Sequence, residues 1–294
     1  MARSDNLPET LLAPAPLRPD ELGDAQALVA EVGWNQTERD WRMFLELGRV
    51  QAVRTDGGNL VATAATLPYG GFGWISMVLV TAAWRRRGLA SQLLRGAIDD
   101  LRGAGLVPVL DATPAGRAVY RTLGFADTWG FARYARSAVS TARDLASSGD
   151  DIDVRPITDA MWDQICAYDA AAFGSERSRL LARLRGRTPA ADLVALRGDR
   201  LAGFLLGREG RIATQLGPLI AKDTEAARAL LAQALAQVTG PVFIDLADSK
   251  AGIRVLLEGQ GFAFTRPLTR MVFGRPSAFD DPAHIFAVVG PEFG

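Results

Sequence analysis

Residues 74–125 carry the densest run of chemically useful side chains in this chain. An apolar stretch, Trp74-Ile75-Ser76-Met77-Val78-Leu79-Val80, leads into an arginine-rich glycine turn, Arg85-Arg86-Arg87-Gly88-Leu89-Ala90. A helical pattern runs from Ser91 to Leu101, then a second strand from Val107 to Leu110. A short helix ends in Ala118-Val119-Tyr120-Arg121-Thr122-Leu123-Gly124-Phe125. A turn that leaves a strand and opens a helix gathers unpaired backbone N–H groups at the positive end of the helix dipole. That geometry holds a phosphate or pyrophosphate. Gly88 lets the backbone approach the anion, and the arginines add charge around it. By itself such a turn is also a common structural device of α/β proteins. A tyrosine on a helix beside a core, such as Tyr120, is equally a frequent packing residue.

The elements that position these residues occur twice. Pro16-Leu17-Arg18-Pro19 before a helical pattern (Asp20 to Val32) is echoed by Asp153-Val154-Arg155-Pro156 before another (Asp159 to Phe173). The hairpin in which Thr55-Asp56-Gly57-Gly58-Asn59 joins two apolar runs returns as Leu193-Val194-Ala195-Leu196, a turn through Arg197-Gly198-Asp199-Arg200, and Leu201 to Leu206. Leu123-Gly124-Phe125 is matched by Gln260-Gly261-Phe262 with its own strand, Leu268 to Phe273. Ser147-Ser148-Gly149-Asp150-Asp151 is a polar linker between the copies. Two βα-rich domains are therefore expected, 1–147 and 152–294, each of about 145 residues.

The copies differ where chemistry is concerned. The second has Pro218-Leu219-Ile220 in place of Val78-Leu79-Val80. Its link to the next helix, Ala221 to Arg228, lacks glycine and carries Asp223 and Glu225 at the helix start. Carboxylates there satisfy the dipole themselves and repel a pyrophosphate. Leu257 stands at the offset from Gly-Phe that Tyr120 occupies. The second copy is expected to keep the fold and to have lost the anion site.

The spacing Arg85-x-x-Gly88-x-Ala90, taken with Tyr120 four residues before Gly124-Phe125, resembles the GNAT acyltransferases, which take an acyl group from acyl-coenzyme A. The resemblance implies two tandem GNAT-like α/β domains, each a mixed, mostly antiparallel sheet flanked by helices, the first active and the second degenerate. It implies that Val78, Leu79 and Val80 bond the pantetheine arm through their backbone, in a gap between the fourth and fifth strands. Arg86, Arg87, Gly88, Leu89, Ala90 and Ser91 would cradle the pyrophosphate. An amine attacks the thioester, and a backbone N–H of the splayed strand stabilises the charge on the carbonyl oxygen. Tyr120, with a pKa of about 10, would protonate the departing thiolate. Many members carry an asparagine seven residues before the tyrosine; here Thr113 stands there, a good N-cap before Pro114. The glutamate that often serves as base in the fourth strand is missing, which leaves Asp111, Asp40, Glu38 or a water chain. Some multi-domain relatives bring the C-terminal carboxylate into the site as the base. The apolar tail Ile285 to Gly294, with Glu292 and the Gly294 carboxylate, makes that a further option, beside simple packing against its own domain or the first.

The acceptor side is expected from Gly33-Trp34-Asn35-Gln36-Thr37-Glu38-Arg39-Asp40-Trp41 and from Tyr69-Gly70-Gly71-Phe72-Gly73-Trp74. Their aromatic surface suggests a small acceptor with an apolar or planar body. The implied activity is N-acetyl transfer from acetyl-CoA to an amine, most simply a small molecule. Alternatives are a protein N-terminal acetyltransferase or a non-catalytic acyl-CoA sensor.

Composition bounds the remainder. With 33 Lys+Arg against 33 Asp+Glu in 294 residues, no net field favours nucleic acid or an anionic membrane. Hydrophobic content of 48% and charged content of 22% describe a globular chain with ample core. Basic charge is almost all arginine, Lys222 and Lys250 being the lysines, which weakens any one arginine as a signal. A lone Cys166 excludes a disulfide framework and fits a reducing, cytoplasmic setting. His284 as the single histidine leaves no multi-histidine metal site. No apolar run reaches the roughly 18 residues of a membrane span, and the N-terminus has no secretory pattern. A homodimer is compatible with all of this.

Overall fold

Each half begins with a short edge strand and helical turns, followed by a hairpin whose alternating apolar residues set its register. In the computed structural model, which describes residues 10–137 and 151–294, the first half runs β1 (Ala15–Pro16), α1 (Leu22–Glu31), α2 (Glu38–Leu47), β2 (Arg49–Arg54), β3 (Leu60–Tyr69), β4 (Phe72–Val80), α3 (Leu89–Gly103), β5 (Val107–Ala112), α4 (Pro114–Thr122) and β6 (Phe125–Arg136). The second runs β7 (Ile152–Pro156), α5 (Trp162–Phe173), α6 (Ser178–Leu184), β8 (Leu193–Arg197), β9 (Arg200–Arg208), β10 (Thr214–Ala221), α7 (Thr224–Gln237), β11 (Val242–Ala247), α8 (Ala251–Gly259), β12 (Ala263–Phe273) and β13 (Ile285–Ala287). Residues 147–150 of the polar linker lie outside the described residues. Among the described residues no helix is long and apolar enough to cross a membrane.

The strands form one mixed sheet in the order β1-β2-β3-β4-β5-β12-β6-β11-β13-β10-β9-β8-β7. The halves exchange their long last strands. β5 of the first half pairs with β12 of the second, Asp111 opposite Arg270, and β6 pairs with β11, Asp245 opposite Arg133. β6 and β12 then pair with each other along almost their whole length. The largest apolar cluster accordingly crosses the junction, with Trp41, Phe44, Tyr69 and Trp74 of the first half packed with Phe173 and Phe293 of the second.

Two gaps interrupt this ladder, one in each half. β4 and β5 are parallel neighbours only from Phe72–Trp74 against Val107–Val109, and beyond that point they part. β10 and β11 pair in parallel over Thr214–Leu216 against Val242–Ile244 and part in the same way. In the second half β13 enters the gap, pairing with β10 on one side and β11 on the other. Buried backbone N–H and C=O groups need partners, and β13 supplies them there. Among the described residues no strand enters the first gap.

Candidate active site

In the first gap, β4 departs from the ladder at a bulge. Its pairing with β3 shifts between Thr63↔Leu79 and Ala65↔Ser76. Met77 takes φ 51, a left-handed conformation that costs a side-chain-bearing residue energy and persists only where its surroundings impose it. The Thr63 hydroxyl donates to the Met77 carbonyl at 2.9 Å and holds the bulge. After it, Val78–Val80 run along the open edge toward the glycine turn. Arg86 and Gly88 have φ 62 and 81, and Gly88 is the N-cap of α3, whose first turn contains no acidic residue. A Cβ on Gly88 would meet no neighbour within 4 Å, so conformation and ligand access, not crowding, call for glycine there.

Val78, Leu79, Val80, Arg86, Gly88, Leu89, Ala90 and Ser91 line one cavity of about 660 Å³. Arg87 does not face it; its guanidinium lies 4.4 Å above the Trp84 ring. Arg85, on the rim, donates to the Val80 carbonyl at 3.0 Å. Glu31, at the end of α1, accepts from the Thr81 hydroxyl (2.7 Å) and the Ala82 N–H (2.5 Å), and these bonds hold its carboxyl below the usual range.

A second cavity of about 230 Å³ lies deeper in the gap and shares Trp34 and Val78 with the first. Tyr120 lines it. Thr113 caps α4, accepting from the Gly116 N–H at 3.3 Å, and Arg117 and Arg121 of that helix both bind Asp127 at the start of β6. The Tyr120 ring lies 6.2 Å from that of Phe125, and burial pushes its hydroxyl above the ordinary tyrosine value. Asp111 also lines the cavity, but Arg270 donates to both its oxygens at 3.0 and 2.9 Å. Burial pushes its carboxyl up to about 6 against that opposing charge.

The other carboxylates raised as bases are elsewhere. Glu38 is exposed and paired with Arg42 at 2.5 Å. Asp40 is fully buried, bound to its own N-cap Thr37 and to Arg187 (2.6 Å) and Arg208 (2.9 Å) of the second half. The tail supplies what they do not. Glu292, 3% exposed, lines this cavity; Arg208 takes its Oε1, whereas Oε2 is buried without a hydrogen-bond partner. The Gly294 terminus is turned away from the cavity, its oxygen 2.7 Å from the buried Arg177. Pro291 and Phe293 anchor the tail, their carbonyls accepting from Trp74 Nε1 and the Tyr69 hydroxyl at 3.0 Å each. The tail thus packs against both halves, and Pro291 and Glu292 reach the cavity.

Two expectations for the acceptor side need correction. Tyr69, Phe72 and Trp74 do not line the cavity as an aromatic surface; they are buried and packed with Phe173 where the halves meet. Trp34 and Trp41 also part company, Trp41 entering the core and Trp34 facing both cavities. Asn35 binds the second-half backbone at Ile212 and Ala213, which clamps the loop that presents Gln36 to the cavity. Sequence reasoning missed Arg133 and Arg266, brought to the cavity by the exchanged strands. In an arginine-rich chain no local signal marks them.

The second gap is built differently. Asp223 caps α7, accepting from the Ala226 N–H at 3.0 Å, so its carboxylate occupies the helix start. Pro218 stands at the bulge, where β10 shifts register, and offers no N–H. Gly217 lets the tail through: a Cβ there would lie 2.0 Å from the Val288 carbonyl oxygen. Leu257, at the offset of Tyr120, is fully buried. His284 is half exposed and bound to Asp281 at 2.7 Å, and it lines neither cavity of the first gap.

Known proteins match this arrangement twice along the chain. The profile of the acetyltransferase (GNAT) family matches residues 22–125, and that of the acetyltransferase (GNAT) domain matches residues 165–287. An uncharacterized N-acetyltransferase of Bacillus subtilis (strain 168), YitH, is 22% identical over 269 residues, which is 91% of this chain and 93% of that protein. A putative acetyltransferase from Pyrococcus horikoshii superposes with a TM-score of 0.77 at 18% identity, covering 100% of this chain and 99% of that one. A tandem GNAT protein from the clavulanic acid biosynthesis pathway superposes with a TM-score of 0.61 at 15% identity, covering 91% of this chain and 100% of that one.

Proposed function

We propose that this chain, a GNAT acyltransferase with two GNAT domains in tandem, has one working site, in the first domain, where acetyl-CoA donates its acetyl group to a small amine. The domains would be residues 1–147 and 152–294. The observation that carries this reading is the meeting of the two cavities at Val78 and Trp34, just past the β4 bulge. The larger cavity has the strand edge for an amide-bearing arm and the acid-free helix N-terminus for a pyrophosphate, so the residues present suit acetyl-CoA. Its role there is to supply an activated acetyl carbon. The smaller cavity lies below the range of about 300–1,000 Å³ usual for drug-sized ligands and is walled by the tail, which favours a small amine over a protein N-terminus.

In this reading Glu292 Oε2 takes a proton from the acceptor ammonium. The freed nitrogen lone pair forms the C–N bond to the acetyl carbon, and the C–S bond breaks with its electron pair going to sulfur. The Tyr120 hydroxyl passes its proton to the sulfur and takes the second proton from the new amide nitrogen, while Glu292 releases the first to solvent. Backbone N–H groups at the β4 bulge, fixed before reaction by the Thr63 bond, would stabilise the carbonyl oxygen as charge gathers there.

The test is thiol release from acetyl-CoA in the presence of amines, with Glu292→Gln beside the parent. The variant should lose about 10²-fold or more in kcat and keep its acetyl-CoA affinity. Full kcat in the variant would remove Glu292 as the base. Deleting the tail from Pro291 onward is a poorer experiment, because Phe293 is buried and stacked 4.8 Å from Phe44. Acetyl-CoA binding with no turnover of any amine would favour the sensor.

A further inference from the structure

The acceptor cavity has a charge pattern of its own. Most of its ionic groups are already matched: Asp111 by Arg270, and Arg133 by Asp245 at 2.8 and 2.7 Å. Arg266 is not. Half-buried on the cavity wall, it forms no ion pair among the described residues, and its Nε is buried without a hydrogen-bond partner. Its register partner on β6 is Arg133, a like charge, and burial together with that neighbour disfavours the Arg266 cation.

Three acceptors on the same wall are also unsatisfied. Gln36 Oε1, Ser76 Oγ and Glu292 Oε2 are buried without a partner, on side chains 4%, 9% and 3% exposed. Buried polar atoms rarely go unpaired in a folded protein, and an unpaired one costs its full desolvation. They are of two kinds, all on residues that line one small cavity: a cation in no ion pair among the described residues, and one carboxylate oxygen and one amide oxygen that accept no hydrogen bond.

We infer that the acceptor is a small zwitterion, with an ammonium group bound by Glu292 and Gln36 and an anionic group bound by Arg266. This rests on the proposed acetyl transfer and narrows its substrate class. The shared chemistry is an amine and an anion on one short skeleton, the anion being a carboxylate, as in an amino acid, or a phosphate. Burial at both ends implies that neither half of the molecule binds well without the other.

The experiment compares acceptors that differ only in the anion: tyrosine with tyramine, histidine with histamine, and phosphoethanolamine with ethanolamine. Thiol release from acetyl-CoA is measured for the parent and for Arg266→Met. In at least one pair the zwitterion should exceed its anion-free partner by about tenfold or more in kcat/KM, the scale of a charge-assisted hydrogen bond. The pair that responds identifies carboxylate or phosphate. Arg266→Met should cancel that preference through KM, bringing the zwitterion down to its anion-free partner, and be partly rescued by Arg266→Lys. If no acceptor turns over, calorimetric titration of the CoA-loaded protein with each zwitterion decides, and absence of binding overturns the proposal. Equal rates within every pair, or equal losses for both members in Arg266→Met, also overturn it while leaving acetyl transfer intact. Failure to bind acetyl-CoA at all would instead fault the transfer reading itself.

Discussion

Tyr120 shows how far single residues could be read from the sequence. Its offset from Gly124-Phe125 is a local signal, and the structure puts Tyr120 on the smaller cavity. Gly88 was legible in the same way, because a strand, a turn and a helix start are contiguous in the chain. Arg266 was not, since its significance depends on forming no ion pair among the described residues, and that follows only once β12 has crossed to the other half. Tyr120→Phe should lower kcat by about 10²-fold or more with acetyl-CoA affinity and melting temperature unchanged. Burial raises the Tyr120 hydroxyl above its ordinary pKa, so the tyrosine remains a proton donor throughout the neutral and mildly alkaline range. No alkaline fall in kcat below about pH 10 should therefore belong to Tyr120. Such a fall, present in the parent and absent from the phenylalanine variant, would contradict this assignment.

At the scale of elements, the hairpins, the glycine turn and most helices follow from local periodicity, and the structure has them near their expected bounds. The tail strand β13 does not follow from it. Its partners Leu219, Ile220 and Leu246 lie tens of residues away, and its apolar residues said only that it must be buried. Helix α4, which carries Tyr120, gives an element-scale prediction. Arg117 and Arg121 hold the Asp127 carboxyl down to about 2, from an ordinary 3.8. A depressed carboxyl stabilises the fold above its unfolded pKa, and that stabilisation is lost as pH falls through the folded one. In urea titrations the parent should be more stable than Asp127→Asn above about pH 4, with the gap closing as pH falls toward 2. A gap that persists at the acid end would show that the clamp does not hold α4. Asp127 is near the surface, so the effect should be modest and weaken with salt.

For the whole molecule, the repeat was legible but the exchange of β6 and β12 was not. An antiparallel strand has the same period-two pattern whether its neighbour is β5 of its own half or β11 of the other. The exchange also makes the halves interdependent: without the second, β5 loses its β12 neighbour and both edges of β6 are bare. Exposed edges and a core cut through Trp74 should prevent residues 1–137 from folding alone, whereas the full chain should melt in one cooperative transition. A dispersed, native-like spectrum from the isolated half would show that the exchange is not required.

One donor site in a two-domain chain is the central claim, and calorimetric titration with acetyl-CoA tests it most directly. Gly88→Glu places a carboxylate and a strained φ at the anion turn of α3. Thr224→Glu is the matching change at α7, chosen because Thr224 is exposed whereas the neighbouring Ala227 is fully buried. The parent and Thr224→Glu should each bind one acetyl-CoA per chain with similar affinity, and Gly88→Glu should bind none. Two equivalents per chain in the parent, or equal losses in the two variants, would contradict the account.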